Sequence, residues 1–166
     1  GQNYLPTDVK IEGDASNAAF FEAANILGGK VEVIGLDPES LQGDMAFKRH
    51  FEALKAASFH PIDLSDCPDL APILFTVAAF YGGGTFTHTD RLRLKESNRI
   101  ESMRSELGKF GAEIQVFDGL GGGTVKVLKS PLHPPAEPLD SHNDHRVAMA
   151  LAILCTRHGG VLTGAE

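Results

Sequence analysis

A chain of 166 residues that is 42% hydrophobic, 22% charged and 7% aromatic, with no tryptophan, has the make-up of a folded domain. That excludes a disordered tail, a collagen-like repeat and a low-complexity linker, and the length suits a single domain. Lys plus Arg number 15 against 22 Asp plus Glu, a formal charge of −7, which argues against wrapping a nucleic-acid backbone or an anionic membrane.

No apolar run approaches the ~20 residues that cross a bilayer. Cys67 and Cys155 sit in apolar runs without C-x-x-C spacing, and read as buried, reduced thiols of a cytoplasmic protein. There is no initiator Met and no signal peptide, so the start at Gly1 reads as a processed or excised piece.

Three segments follow one template. The first runs from Asp14 through an alanine-rich stretch to Gly28-Gly29 and then Lys30–Gly35. The second runs from Asp69 to Gly82-Gly83-Gly84 and then Thr85–Thr89. The third runs from Asp144 to Gly159-Gly160 and then Val161–Gly164. Each predicts an Asp N-cap, a helix of three to four turns, a glycine stop and a short strand. The three helices lack a charged stripe, so they read as buried.

A second helix is expected after each of the first two. One covers Asp44–Ala56, with Met45, Phe47, Phe51 and Leu54 on its apolar side; the other covers Glu96–Phe110, with Ile100, Met103, Leu107 and Phe110. Asp14 to Asp44 is 30 residues and Asp69 to Asn98 is 29. By that interval a third such helix would start near residue 174, which predicts a chain cut inside its third unit. Residues 111–117 and 124–128 predict a β-hairpin around Asp118–Gly123, and the proline-rich run 131–138 an intradomain loop.

Four cations fall in Arg91-Leu-Arg93-Leu-Lys95-Glu96-Ser-Asn-Arg99. If a helix starts at Lys95, then Lys95 and Arg99 share a face beside Glu96. Cations oppose the dipole at a helix start, and an anion between them would relieve the conflict. A solvated charged face accounts for the same spacing, and Arg91-Leu-Arg93-Leu suits a strand edge. In His142-Asn-Asp144-His145-Arg146 the arginine falls in the first turn of the third helix. His142, Asp144 and His145 have the atoms of metal ligands, but their crowding in sequence favours a cap at Asp144 and no metal. Asp69 reads first as an N-cap, and near so many cations also as a base. The glycine runs 82–84 and 121–123 match no phosphate-loop pattern.

Glu12-Gly-Asp-Ala-Ser16, Ser40-Leu-Gln-Gly-Asp44, Pro68-Asp69, Lys95-Glu-Ser-Asn-Arg99-Ile and Asn143-Asp-His-Arg146-Val-Ala-Met together resemble the 3-phosphoshikimate 1-carboxyvinyltransferase (EPSP synthase) family, in order, from about Val9 to the C-terminus. The resemblance implies an α/β (α+β) fold of repeated βαβαββ units, with buried helices inside and sheets outside, here truncated in the third unit. Residues 1–166 would form one domain fragment, the larger part of the C-terminal globular domain of a two-domain enolpyruvyl transferase.

The implied reaction moves the enolpyruvyl group of phosphoenolpyruvate to the 5-hydroxyl of shikimate 3-phosphate and releases phosphate, on the way to chorismate and the aromatic amino acids. By motif, Asp69 would accept the hydroxyl proton and contact shikimate 3-phosphate together with Lys95. Glu96 would give and take the proton at the phosphoenolpyruvate methylene. Arg99 and Arg146 would hold phosphoenolpyruvate. No metal or other cofactor is implied. The partners would be the two small anions and the missing N-terminal domain, with no nucleic acid and no membrane.

The family often has Asn four residues before the motif lysine, where this chain has Arg91. Other family substrate contacts lie outside these residues, so the isolated chain is not expected to turn over, and its uncovered helices are expected to expose apolar surface. Two other readings stand beside this one: UDP-N-acetylglucosamine enolpyruvyl transferase, which shares fold and donor, and a non-catalytic repeat module that binds an anion or a partner.

Overall fold

The computed structural model describes residues 2–57, 60–119 and 121–165. Gly1, Leu120 of the expected hairpin turn and Glu166 lie outside the described residues. Among the described residues there are five α-helices: α1 (Ala15–Ile26), α2 (Phe47–Lys55), α3 (Ala71–Tyr81), α4 (Arg99–Lys109) and α5 (His145–His158). The described residues also form six short strands: β1 (Ile62–Asp63), β2 (Gly84–Thr87), β3 (Ile114–Phe117), β4 (Thr124–Val127), β5 (Leu139–Asp140) and β6 (Leu162–Thr163).

The middle repeat forms the full βαβαββ unit. β1 and β2 pair in parallel, which requires a crossover, and α3 supplies it. β4 then pairs antiparallel with both β2 and β3, giving the sheet order β1-β2-β4-β3. The hairpin register places Phe117 opposite Thr124, as the turn at 118–123 requires. The third repeat opens the same way, with β5 and β6 parallel on either side of α5. The first repeat differs. Residues 30–35 carry no strand; Asn25 instead holds Val31 through both its amide oxygen and its amide nitrogen. A strand needs a hydrogen-bonded neighbour, and residues 30–35 form no ladder with any of the described residues.

α3 is the centre of the core. Ala71 through Ala79 are all buried, and Phe75 stacks on Phe86 of β2 at 4.9 Å between ring centroids. Each large apolar side chain buried there contributes about 1.5–3 kcal/mol relative to exposure. α1 and α5 flank α3 and touch each other. They are buried on one side only: Phe21 of α1 and Ala152 and Thr156 of α5 are exposed, so the expectation of helices buried all round holds for α3 alone. Tyr4, Leu5, Ile11, Ile34 and Leu41 expose large apolar surface, but they lie outside the helices expected to do so; on the α-helices, among the described residues, the exposed large hydrophobic is Phe21 of α1.

Local starts explain several shifts from the sequence expectations. Asp14 and Asp144 do cap α1 and α5, accepting from the Asn17 amide and from the Arg146 and Val147 amides. Asp69 caps nothing; it lies in a 3-10 turn over Pro68–Leu70 that leads into α3. A 3-10 turn over Gly43–Ala46 likewise delays α2 to Phe47. α4 starts at Arg99 rather than Glu96, because Asn98 is its cap and accepts from the Glu101 amide. Arg91 and Arg93 are not on a strand edge: Asp90–Leu94 forms a 3-10 helix that buries Leu92 and leaves Leu94 in solvent. No helix among the described residues is long and apolar enough to cross a membrane.

Candidate active site

Three helix starts meet at one place. Ser16 opens α1, Asp69 precedes α3 and Arg146 lies in the first turn of α5, and Arg146 joins them. Its Nη1 donates to Ser16 Oγ at 2.7 Å and its Nη2 lies 3.3 Å from Asp69 Oδ2. Ser16 passes the link on, donating to Asp44 Oδ2 at 2.5 Å. Repeats 1, 2 and 3 are thereby tied through side chains up to 130 residues apart. The positive ends of the helix dipoles face the same region, which favours negative charge there.

Arg99 anchors the other half. It is fully buried and meets three carboxylates: Asp144 at 2.8 Å from Nε, Asp69 at 2.8 Å from Nη1 and Glu96 at 2.5 Å from Nη2. Burial disfavours the guanidinium charge, but the Asp144 hydrogen bond and charge, helped by Asp69 and Glu96, hold its pKa above the ordinary value. A planar fork that meets several carboxylates in fixed directions is the arrangement arginine is built for. Ser97 adds a hydrogen bond to Asp144.

Lys95 sits just ahead of α4 in extended backbone, so it does not share a helix face with Arg99. The two cations converge all the same on one atom: Asp69 Oδ1 lies 3.0 Å from Lys95 Nζ and 2.8 Å from Arg99 Nη1. Burial raises the pKa of Asp69, but the hydrogen bonds from Lys95 and Arg99, together with the Arg146 charge, hold it below the ordinary carboxylate value. Asp144 behaves alike, with Arg99 outweighing burial. Asp44 goes the other way: burial pushes it up, and Ser16 and Arg146 offset that only in part.

All five residues singled out from sequence (Asp69, Lys95, Glu96, Arg99 and Arg146) therefore fall in one cluster. Arg91 stands outside it, exposed, with its Nη1 on the Ser65 carbonyl at 3.4 Å. Arg93 pairs with Asp118. His142, Asp144 and His145 do not form a metal site. Asp144 faces Arg99, His142 faces Glu106 and His145 faces Glu96, and no group among the described residues could hold a metal ion. Sequence reasoning missed Ser16, Asp44 and the second role of Asp144 as partner to Arg99. The signal was present for the first two, since Glu12–Ser16 and Ser40–Asp44 are both motif segments.

Four carboxylates face three cations here, so a small anion could be held only by taking Lys95, Arg99 or Arg146 from their carboxylate partners. Asp69 and Glu96, at 31% and 46% of side-chain surface, are partly exposed, as Asp44 is, whereas Asp144 is buried; the partly exposed acids are able to exchange protons with a bound molecule.

The sequence model of EPSP synthase (3-phosphoshikimate 1-carboxyvinyltransferase) matches residues 1–163. Relatives named 3-phosphoshikimate 1-carboxyvinyltransferase include one from Clostridium novyi (strain NT), 39% identical over 92% of this chain and 38% of its own length. Another, from Clostridium acetobutylicum, is 41% identical over 91% of this chain and 37% of its own length. The chain thus spans under half the length of these relatives. The solved EPSP synthase of Acinetobacter baumannii superposes with a TM-score of 0.70 at 22% identity, over all of this chain and 45% of that one, which shows a common fold. With the family model matched across nearly its whole length, this chain belongs to the EPSP synthase family.

Proposed function

We propose that these residues form part of one lobe of an enzyme that transfers the enolpyruvyl group of phosphoenolpyruvate to the 5-hydroxyl of shikimate 3-phosphate. The observation that carries the reading is Asp69, a partly exposed carboxylate held by three cations at the meeting of three helix starts. Both substrates are anions, and the relatives are named for carboxyvinyl transfer involving 3-phosphoshikimate.

In this reading Arg99 and Arg146 hold phosphoenolpyruvate, while Lys95 and Asp69 hold shikimate 3-phosphate. Substrate oxygens then draw the cations away from Asp69, and with them the interactions that depress its pKa. Asp69 becomes a better base at the moment a hydroxyl lies beside it. The 5-oxygen loses its proton to Asp69 and forms a bond to C2 of phosphoenolpyruvate, while Glu96 protonates the methylene carbon. The bond from C2 to the phosphate oxygen then breaks, the leaving phosphate takes up the proton held by Asp69, and the methyl returns a proton to Glu96, restoring the double bond. Fixed charges around the reacting atoms supply orientation and electrostatic stabilisation.

The remaining substrate contacts lie outside these residues, in the N-terminal domain and in a later C-terminal segment of the same enzyme, so the 166-residue chain alone releases no phosphate. Both cysteines are free, which supports placing the protein in the cytoplasm with its phosphorylated substrates. The test is phosphate release by the full-length gene product with phosphoenolpyruvate as donor. Release with shikimate 3-phosphate and none with UDP-N-acetylglucosamine is expected. Release with the second acceptor only, or with neither, overturns the reading.

A further inference from the structure

Glu106 is a buried acid away from the substrate cluster, on α4 seven residues beyond Arg99 and 1% exposed. Its Oε2 accepts from Lys109 Nζ at 2.8 Å and from the Asp140 amide at 2.9 Å. Its Oε1 lies 3.1 Å from His142 Nε2 and 3.2 Å from Ser105 Oγ. Lys109 also donates to the Pro138 carbonyl at 2.9 Å. One turn of α4 thus grips residues 138, 140 and 142 of the segment that enters α5.

That segment then makes a bend. His142 and Asn143 both have φ of +54°, the left-handed region, which few non-glycine residues adopt. Such a bend persists only where its surroundings enforce it. The Asp140 carboxylate helps by accepting from the His142 amide, and Ser141 Oγ accepts from the Asn143 amide. The next residue is Asp144, buried partner of Arg99, and two further on is Arg146.

We propose that Glu106 is a positioning residue: through His142 and the Asp140 amide it enforces the bend at 142–143, and so sets where Asp144 and Arg146 stand relative to Arg99. α4 carries Arg99 at its start and Glu106 about 10 Å further along its axis. One rigid helix therefore fixes both ends of the measurement. Glu106 touches no reacting group. The kinetic consequence rests on the proposed function, whereas the positioning itself does not.

The test uses the full-length gene product with Glu106→Ala, Glu106→Gln and His142→Ala. Amide hydrogen exchange across residues 141–147 is expected to quicken at least ~10-fold in Glu106→Ala and His142→Ala, with α3 unchanged; Glu106→Gln, which keeps an acceptor for the Asp140 amide, falls between. KM for phosphoenolpyruvate is expected to rise about 10-fold while KM for shikimate 3-phosphate stays put. A merely structural role lowers the folded fraction, which scales kcat and leaves KM alone.

Unchanged exchange at 141–147 overturns the proposal, and so does faster exchange with both KM values unmoved. If the unmutated protein consumes no phosphoenolpyruvate, the functional reading has failed and exchange alone decides the positioning. If Glu106→Ala does not fold, His142→Ala, whose side chain is a third exposed, decides in its place.

Discussion

Arg99 and Asp144, 45 residues apart in sequence, form an ion pair with Nε 2.8 Å from Oδ2 and no exposed side-chain surface on either partner. Arg99 opens α4 and Asp144 caps α5, so the pair locks the second repeat to the third beneath the candidate active site.

Removing one partner strands the other. Arg99→Met leaves Asp144 buried without its cation and should destabilise the protein by about 3–5 kcal/mol. Arg99→Lys should recover little, because a point charge cannot reach Asp144, Asp69 and Glu96 at once. Urea unfolding checks both, and a loss under ~1 kcal/mol for Arg99→Met contradicts this account.

Acid should unfold the protein in two stages. Burial, with the Arg49 charge, lowers the pKa of His50 from 6.5 to about 4, so its neutral form is the folded one. The unfolded chain binds the extra proton between those values. Stability present above pH 6.5 is therefore lost as pH falls toward 4, by up to ~1.4 kcal/mol per pH unit. Asp69, Asp144 and Glu106, all depressed by their cationic or hydrogen-bonding partners, act lower: their contribution stands above the ordinary carboxylate pKa and fades below it. Unfolding curves from pH 7 to pH 4 should show the first stage, and His50→Gln should flatten it. An equal slope in that variant removes His50 as the cause.

Two glycines should respond oppositely to alanine. A Cβ at Gly43 would run into the backbone carbonyl of Asp66, and Gly43 leads directly to Asp44, the acid behind Ser16 and Arg146. Gly43→Ala should cost about 1–3 kcal/mol. Gly108 is an exposed position in α4 with open space around it, so Gly108→Ala should stabilise by about 0.4–1 kcal/mol. Thermal melting of the two variants gives the comparison; a melting point that does not fall in Gly43→Ala argues against the crowding there, and one that falls in Gly108→Ala argues against open space at that position.

What was legible in the sequence was mostly local. Asp14 and Asp144 are caps because a cap needs only a carboxylate and the amides two or three residues on. The hairpin 114–127 follows from two alternating runs and a glycine-rich turn. Asp69 looked like a third cap by analogy, but Pro68 starts a 3-10 turn and three cations from other segments take its carboxylate. Nothing within a few residues of Asp69 announces that. The strand expected at 30–35 failed for a related reason, since a strand depends on a partner that the run itself does not contain.

The candidate site was visible as a set of residues but not as a geometry. Motif resemblance brought Asp69, Lys95, Glu96, Arg99 and Arg146 into one list, whereas spacing alone put Lys95 and Arg99 on one helix face. The structure reaches their convergence differently, with Lys95 ahead of the helix and Arg99 inside it. The links from Arg146 to Ser16 and from Arg99 to Asp144 span 130 and 45 residues, and no periodicity reports them.

The measurement that bears most directly on the account is steady-state phosphate release by the full-length gene product with Asp69→Ala, using phosphoenolpyruvate and shikimate 3-phosphate. Asp69 is partly exposed and caps no helix, so the variant should stay folded, which circular dichroism verifies. A fall in kcat of at least ~10²-fold with folding intact is the predicted result for loss of a proton acceptor. Turnover within about twofold of the unmutated enzyme would contradict the claim that this carboxylate, held by Lys95, Arg99 and Arg146, is the base.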